Sequence, residues 1–176
     1  VFCDIYDKTF NINPESLSKS LKEAYSKGLR PKAIMPVDLF GLPARYRLIE
    51  KFAEENDLFV IEDAAQGFGG NIRGRKACSF GDVAGTSFFP AKPLGCYGDG
   101  GAIFTNDDDL ALKLRSIRVH GGGEDKYDNE RIGINGRLDS IQAAVVLEKI
   151  GIFDNELMLR NEAANYYTQN INKKFI

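Results

Sequence analysis

Residues 58–65 read LFVIEDAA, an apolar run that stops abruptly on two acids. A strand apolar at nearly every position needs cover on both faces. Parallel sheets sandwiched between helices provide that cover. The flanking sequence supplies the helices. PARYRLIEKFAEEN (residues 43–56) is amphipathic, with Leu48, Ile49, Phe52 and Ala53 on one side. Before it, KAIMPVDLFG reads as a buried strand ending at Gly41. Earlier still, Asn13, Pro14 and Gly28 read as the N-cap, first position and stop of a helix. Downstream, VAGTSFF and GAIFTN read as shorter strands, and DDDLALKLRSIRVH (107–120) as a third helix. Its acids open the helix and its bases close it, as the helix dipole prefers. RLDSIQAAVVLEKI (137–150) is a fourth helix, and residues 156–170 a fifth. This alternation predicts an α/β fold: a three-layer α/β/α arrangement around a mostly parallel sheet. With 176 residues, 43% of them hydrophobic, the chain can bury a single core. Residues 120–133, HGGGEDKYDNERIG, are expected to form the least structured segment, a flexible loop.

Several functions are disfavoured at once. A net charge of −2 offers no basic patch for nucleic acid and none for a membrane surface. No apolar run is long enough to span a bilayer. Three cysteines, Cys3, Cys78 and Cys96, form no Cys-x-x-Cys pair. They favour a reducing, cytoplasmic setting over a disulfide scaffold. His120 is the only histidine, so no metal site is expected. Asn106–Asp109 (NDDD) resembles a metal cluster, but a helix cap followed by acids at a positive helix end explains it better. His120 reads best as a packing residue or a donor to a carbonyl.

In open α/β sheets ligands bind beyond the carboxyl ends of the strands. That rule points to Asp38, Glu62, Asp63 and the residues around Ser87 and Lys92. Asp63 ends its strand at that edge, where it could serve a ribose, a metal or a protonated ring nitrogen, or simply cap or pair. Glu62 should face the opposite way. Ala64 and Ala65 are small enough for a flat ring to approach, and Gln66 adds a polar group. SFFPAKPLGCYGDGG frames Lys92 between Pro90 and Pro93, behind Phe88 and Phe89 and ahead of glycines. Prolines limit the backbone, and a desolvated lysine can attack a carbonyl as a free amine. Ser87 could hydrogen-bond a phosphate. The glycine run is not a P-loop, because Lys92 precedes it, and it is not a dinucleotide fingerprint, because it leads into a strand. Asn135, in GINGRLDS, could cap the helix that follows or bind an anion.

Taken in order, IEDAAQGFGG, GDVAGTSFFPAKPLGCYGDGGAIFTND, RVHG and GINGRLDSIQAA resemble the DegT/DnrJ/StrS-type sugar aminotransferases. These use pyridoxal phosphate on the fold-type I aspartate aminotransferase scaffold. The resemblance implies that Lys92 forms the internal aldimine and shuttles a proton between substrate Cα and cofactor C4′. It implies that Asp63 pairs with the pyridine nitrogen, Ala65 packs on a ring face and Gln66 reaches the ring hydroxyl. Ser87 would bind the phosphate, and Asn135 the phosphate of the neighbouring subunit's cofactor in a homodimer. Relatives acting as dehydratases carry histidine at position 92, so lysine implies transamination. The donor would be an amino acid, commonly glutamate. The acceptor would be a keto group on a nucleotide-linked sugar, with wording closest to enzymes for UDP-linked sugars of surface polysaccharides. Against the family, residues 1–176 are expected to be an incomplete large domain. An N-terminal segment and a small C-terminal domain would be missing, and the piece alone would be inactive. The alternatives are a non-catalytic regulatory homologue of the same fold and a Rossmann-type nucleotide-binding domain.

Overall fold

The computed structural model describes residues 1–125 and 127–171. Lys126 of the 120–133 loop and the closing residues 172–176 lie outside them. The strands are β1 (Ala33–Ile34), β2 (Phe59–Asp63), β3 (Asn71–Ile72), β4 (Arg75–Lys76), β5 (Val83–Ser87) and β6 (Gly101–Phe104). The helices are α1 (Leu17–Ser26), α2 (Tyr46–Glu55), α3 (Asp108–Arg118), α4 (Ser140–Ile150) and α5 (Phe153–Asn170). The main sheet has the order β1-β2-β5-β6, with β1, β2 and β5 parallel and β6 reversed. This is the expected α/β class with a mostly parallel sheet.

The strand alternation in β2 divides the molecule. Val60 and Glu62 point to one side and are buried; Ile61 and Asp63 point to the other and are half-buried. On the buried side Val60 packs with Ile34, Leu17 of α1, and Tyr46, Ile49 and Ala53 of α2. Tyr46 stacks on Phe80 with ring centroids 4.2 Å apart. The α2 stripe is therefore Tyr46, Ile49 and Ala53. Leu48, expected on the packed side, is 46% exposed, because it sits one residue out of that helical phase. A second cluster joins Phe88, Leu94 and Cys96 to Val146 of α4 and Phe153 of α5.

Three local readings change. Asn13 caps as expected, accepting the Glu15 N–H, but it opens a 3-10 turn, Pro14–Ser16, ahead of α1. The strand expected to run to Gly41 is only two residues long. Pro36 has no N–H to continue the ladder, although its carbonyl accepts the Asp63 N–H. The chain then turns through a 3-10 segment at Leu39–Gly41. The β3–β4 hairpin is an addition. Its turn residues Arg73 and Gly74 both have positive φ, 52° and 86°, as a primed hairpin turn requires. Asp107 caps α3 by accepting the Leu110 N–H, which settles the acidic run as a helix start. The 120–133 loop closes on itself through a Gly122–Asn129 bridge and the Gly123 N–H to Asp128 carbonyl bond. Among the described residues no helix is long and apolar enough to cross a membrane, and no cluster of His, Cys, Asp and Glu could hold a metal.

Candidate active site

The carboxyl ends of β2 and β5 lie side by side, with Asp63 in register with Gly85. Side chains repeat every second residue, so Asp63, Gly85 and Ser87 share one face of the sheet. A Cβ placed at Gly85 would meet nothing within 4 Å. Open space therefore adjoins the Asp63 carboxylate. Asp63 Oδ1 accepts the Ala65 N–H at 3.0 Å, which fixes the rotamer. Among the described residues its Oδ2 has no hydrogen-bond partner. Ala64 is anchored by the Thr86 hydroxyl, which donates to its carbonyl at 2.9 Å. Ala65 thus follows a rigid corner.

Gln66 comes next, and its Oε1 accepts the Phe40 N–H at 3.0 Å. The side-chain amide is thereby oriented, with its NH2 left as a donor. Ser87 Oγ accepts the Phe89 N–H at 3.2 Å, and the hydroxyl proton remains available. Lys92 is half-buried. Its backbone N–H closes a turn on the Phe89 carbonyl at 2.8 Å. Among the described residues no acid pairs with its ammonium. The structure therefore brings Asp63, Ala65, Gln66, Ser87 and Lys92 to one end of the sheet, and no hydrogen bond ties any of these side chains to another. Asn135 stands apart. It is exposed, bridges to Val119 at the end of α3, and its Oδ1 accepts Arg137 Nε at 3.0 Å. It does not cap α4, whose cap is Asp139.

Asp38 and Glu62, also flagged by the strand-end rule, turn inward. Both are buried, at 0% and 1% exposure. Glu62 Oε1 accepts the Cys78 N–H at 2.7 Å and Oε2 the Phe80 N–H at 2.8 Å. Asp38 Oδ1 accepts from the Tyr46 hydroxyl at 2.7 Å and the Ala44 N–H at 3.1 Å. Asp38 Oδ2 is buried without a donor of its own. The Asp38 charge reaches the Glu62 carboxyl and disfavours its ionisation. Burial raises both acids, Glu62 to about 7. Nearby, burial and the Glu62 charge push the Cys78 thiol up to about 12. The arrangement stiffens the wall behind the site. A Cβ on Gly67 would lie 2.6 Å from Asp38 Oδ2, so the loop after Gln66 presses directly on the pair.

A raised acid binds its proton more tightly in the folded state. Its stabilising contribution is full below the ordinary carboxylic range and is lost as pH rises through about 7. Asp38→Asn keeps the acceptor for Tyr46 and Ala44 and places an NH2 where Oδ2 lacks a donor. The variant is expected to melt about 4 °C above wild type at pH 8 and close to it at pH 5. Thermal melts across that range check this. An equal shift at both pH values would mean that ionisation of the two acids does not limit stability at pH 8.

The set fits a flat, phosphorylated, cationic ring: an acceptor carboxylate beside open space, a hydroxyl, an amide donor and an amine. Comparison with known proteins points the same way. The model of the DegT/DnrJ/EryC1/StrS aminotransferase family matches residues 1–174. Over 167 residues the chain is 47% identical to UDP-2-acetamido-2-deoxy-3-oxo-D-glucuronate aminotransferase of Pseudomonas aeruginosa, covering 95% of this chain and 45% of that protein. It is 44% identical to a pleiotropic regulatory protein of Geobacillus stearothermophilus, covering 96% of this chain and 44% of that one. A crystal structure of a DegT DnrJ EryC1 StrS aminotransferase from Brucella abortus superposes with a TM-score of 0.93 at 54% identity, covering 96% of this chain and 46% of that one. The chain spans about half the length of the relatives it matches.

Proposed function

Because the chain belongs to the DegT/DnrJ/EryC1/StrS aminotransferase family, we propose that the protein carrying it moves an amino group from an amino acid, commonly glutamate, to a keto group of a nucleotide-linked sugar. The observation that carries this reading is Asp63 and Lys92 at the same end of the sheet, with open space beside the Asp63 carboxylate. Pyridoxal phosphate, the cofactor proposed here, would supply an electron sink for the electrons of the broken bond. Asp63 would hold a proton on the ring nitrogen. Ala65 would pack on a ring face, and the Gln66 NH2 would donate to the ring hydroxyl. The Ser87 hydroxyl would bind the phosphate. Lys92 would anchor the cofactor and carry the proton between substrate Cα and cofactor C4′.

Asn135, exposed and, among the described residues, with its side chain bonded to Arg137 rather than to any of the other five, suits a contact to the phosphate in a neighbouring subunit. The working unit proposed is a cytoplasmic homodimer with shared sites. We place this chain in the large, cofactor-binding domain and the rest of the sugar pocket in sequence outside it. The name of the Pseudomonas relative supports a UDP-linked keto sugar as the acceptor, with surface polysaccharide synthesis as the destination. A regulatory role is favoured by names alone, those of the Geobacillus relative and of a sensory transduction protein of Saccharopolyspora erythraea, and a regulatory module needs neither Lys92 nor Asp63.

Adding pyridoxal phosphate to the full-length protein tests the proposal. The cofactor's visible absorbance is expected to shift on capture by the protein. Glutamate should then bleach the shifted band, and a UDP-linked keto sugar should restore it. No shift on mixing, or a band indifferent to glutamate, would overturn the reading.

A further inference from the structure

The segment that carries Lys92 has no regular structure between β5 and β6. Its feet are tied: the Phe88 N–H bonds the Gly100 carbonyl at 2.7 Å, and the Cys96 N–H bonds the Phe88 carbonyl at 2.8 Å. Buried Cys96 adds contacts from its sulfur to the Phe88 and Gly98 carbonyls at 3.0 and 3.1 Å. Beyond these internal ties and the Phe89 N–H donated back to Ser87 Oγ at the strand end, among the described residues two side chains from outside the segment hydrogen-bond to its backbone. Both come from α4. Gln142 Oε1 accepts the Tyr97 N–H at 2.8 Å. Lys149 Nζ donates to the Gly95 carbonyl at 2.6 Å and sits 4.9 Å from the centre of the Tyr97 ring. The two residues are seven apart, two helical turns on one face.

The Gln142 contact to Tyr97 is exposed and is not accounted for by burial. Tyr97 is 75% exposed, so its ring gains little from the core. The carboxamide of Gln142 also fills the place a side chain would take at Gly98: a Cβ there would lie 3.1 Å from Nε2. A long polar side chain is thus docked flat against a residue that has none. Between the two grips Val146 packs with Leu94 and Cys96, so the same helix face holds the segment by an apolar contact flanked by two polar ones.

We propose that Gln142 and Lys149 are positioning residues for Lys92: α4 grips the backbone at Gly95 and Tyr97 and so fixes the direction from which the amine enters the site. The proposal builds on the assignment of Lys92 as the reactive amine. A floating segment would spread the amine over many orientations, and catalysis is steeply sensitive to such spread.

The variants are Gln142→Leu and Lys149→Met, with Gln142→Glu and Lys149→Arg as conservative partners. Glutamate keeps an acceptor for the Tyr97 N–H, and arginine keeps a cationic donor for Gly95. Three readouts on the full-length protein separate positioning from mere stability. The first is kcat and KM for amino transfer. The second is the melting temperature without cofactor. The third is the pH profile of Lys92 acetylation by dilute acetic anhydride in cofactor-free protein, followed on the Lys92 peptide by mass spectrometry. Gln142→Leu is expected to lower kcat by about 10- to 100-fold with the sugar KM within about threefold. It should shift the Lys92 acetylation profile, and Gln142→Glu should restore both. Lys149→Met should show the same pattern with a smaller effect, and Lys149→Arg should restore both readouts.

An unchanged acetylation profile together with an unchanged kcat would overturn the positioning role. So would a loss of activity that tracks only the melting temperature and is not rescued by the conservative variants. If wild-type protein fails to capture pyridoxal phosphate, the functional assignment falls instead. The acetylation arm, which uses no cofactor, then decides the grip on its own: a shifted profile supports it, and an unshifted one overturns it.

Discussion

Lys92→Ala in the full-length protein is expected to lower amino transfer by on the order of 10^4-fold or more, while the melting temperature stays within about 2 °C of wild type. The chemical half of this expectation follows from the role of the amine. No other lysine lies on the segment between β5 and β6, so nothing close in sequence can substitute. The structural half follows from what Lys92 touches. Its backbone turn on Phe89 survives the change, and among the described residues its ammonium has no ion pair to lose. Lys92→Arg keeps the positive charge but loses a nucleophilic amine, and it should be as inactive as the alanine variant. An amino-transfer assay paired with a thermal melt checks both. Arginine retaining activity within tenfold of wild type would show that only charge is needed at this position.

Asp63→Asn should cost about 10^2- to 10^3-fold in kcat, with the sugar KM little changed. Asparagine can still accept the Ala65 N–H through Oδ1, so the strand end is kept. What changes is the second atom: an acceptor carrying negative charge becomes an NH2 donor. A protonated ring nitrogen loses its counter-charge and faces another donor. Asp63→Ala should be no more than a few-fold worse in kcat but less stable, because the Ala65 N–H is orphaned as well. The pair of variants separates charge from local structure. Equal kcat for the Asp63→Asn variant and wild-type protein would remove Asp63 from the chemistry.

The parts of this molecule that show in its sequence are those set by neighbours a few residues away. Asp63 is legible because an apolar strand ending on an acid is a local pattern, and the Asp107 cap is legible for the same reason. The oversized reading of the strand before Gly41 arises because Met35, Val37 and Leu39 sustain an apolar run past Pro36, whose missing N–H interrupts the ladder and leaves only an isolated Val37–Asp63 bridge beyond it. The β3–β4 hairpin is hidden by its polarity and brevity; Gly74 is the one available signal. Contacts across long stretches of chain leave no trace. Asp38 and Glu62 look like two more acids at strand ends, and only the folded chain turns them onto each other. Gln142 and Lys149 look like ordinary polar positions of an amphipathic helix, since nothing near them in sequence marks the segment they hold. Asp63, Ala65, Gln66 and Ser87 are legible because they sit at or just past a strand end, and Lys92 because prolines, aromatics and glycines frame it. The family resemblance alone gives Asn135 its role, which its exposure leaves open.

The reversed strand β6 has a consequence for how such a site can diversify. A parallel successor to β5 would have forced the chain to cross a layer before returning, and the Lys92 segment would then have been woven into the architecture. Because Gly101 pairs directly with Ser87, the segment leaves and rejoins the sheet at adjacent points, and its ends meet whatever lies between them. The closure entropy is met by the strand pairing and changes slowly with length. The reactive segment is in effect a cassette: residues can be exchanged, inserted or deleted inside it without rethreading a strand. New chemistry can be tried there on an unaltered frame.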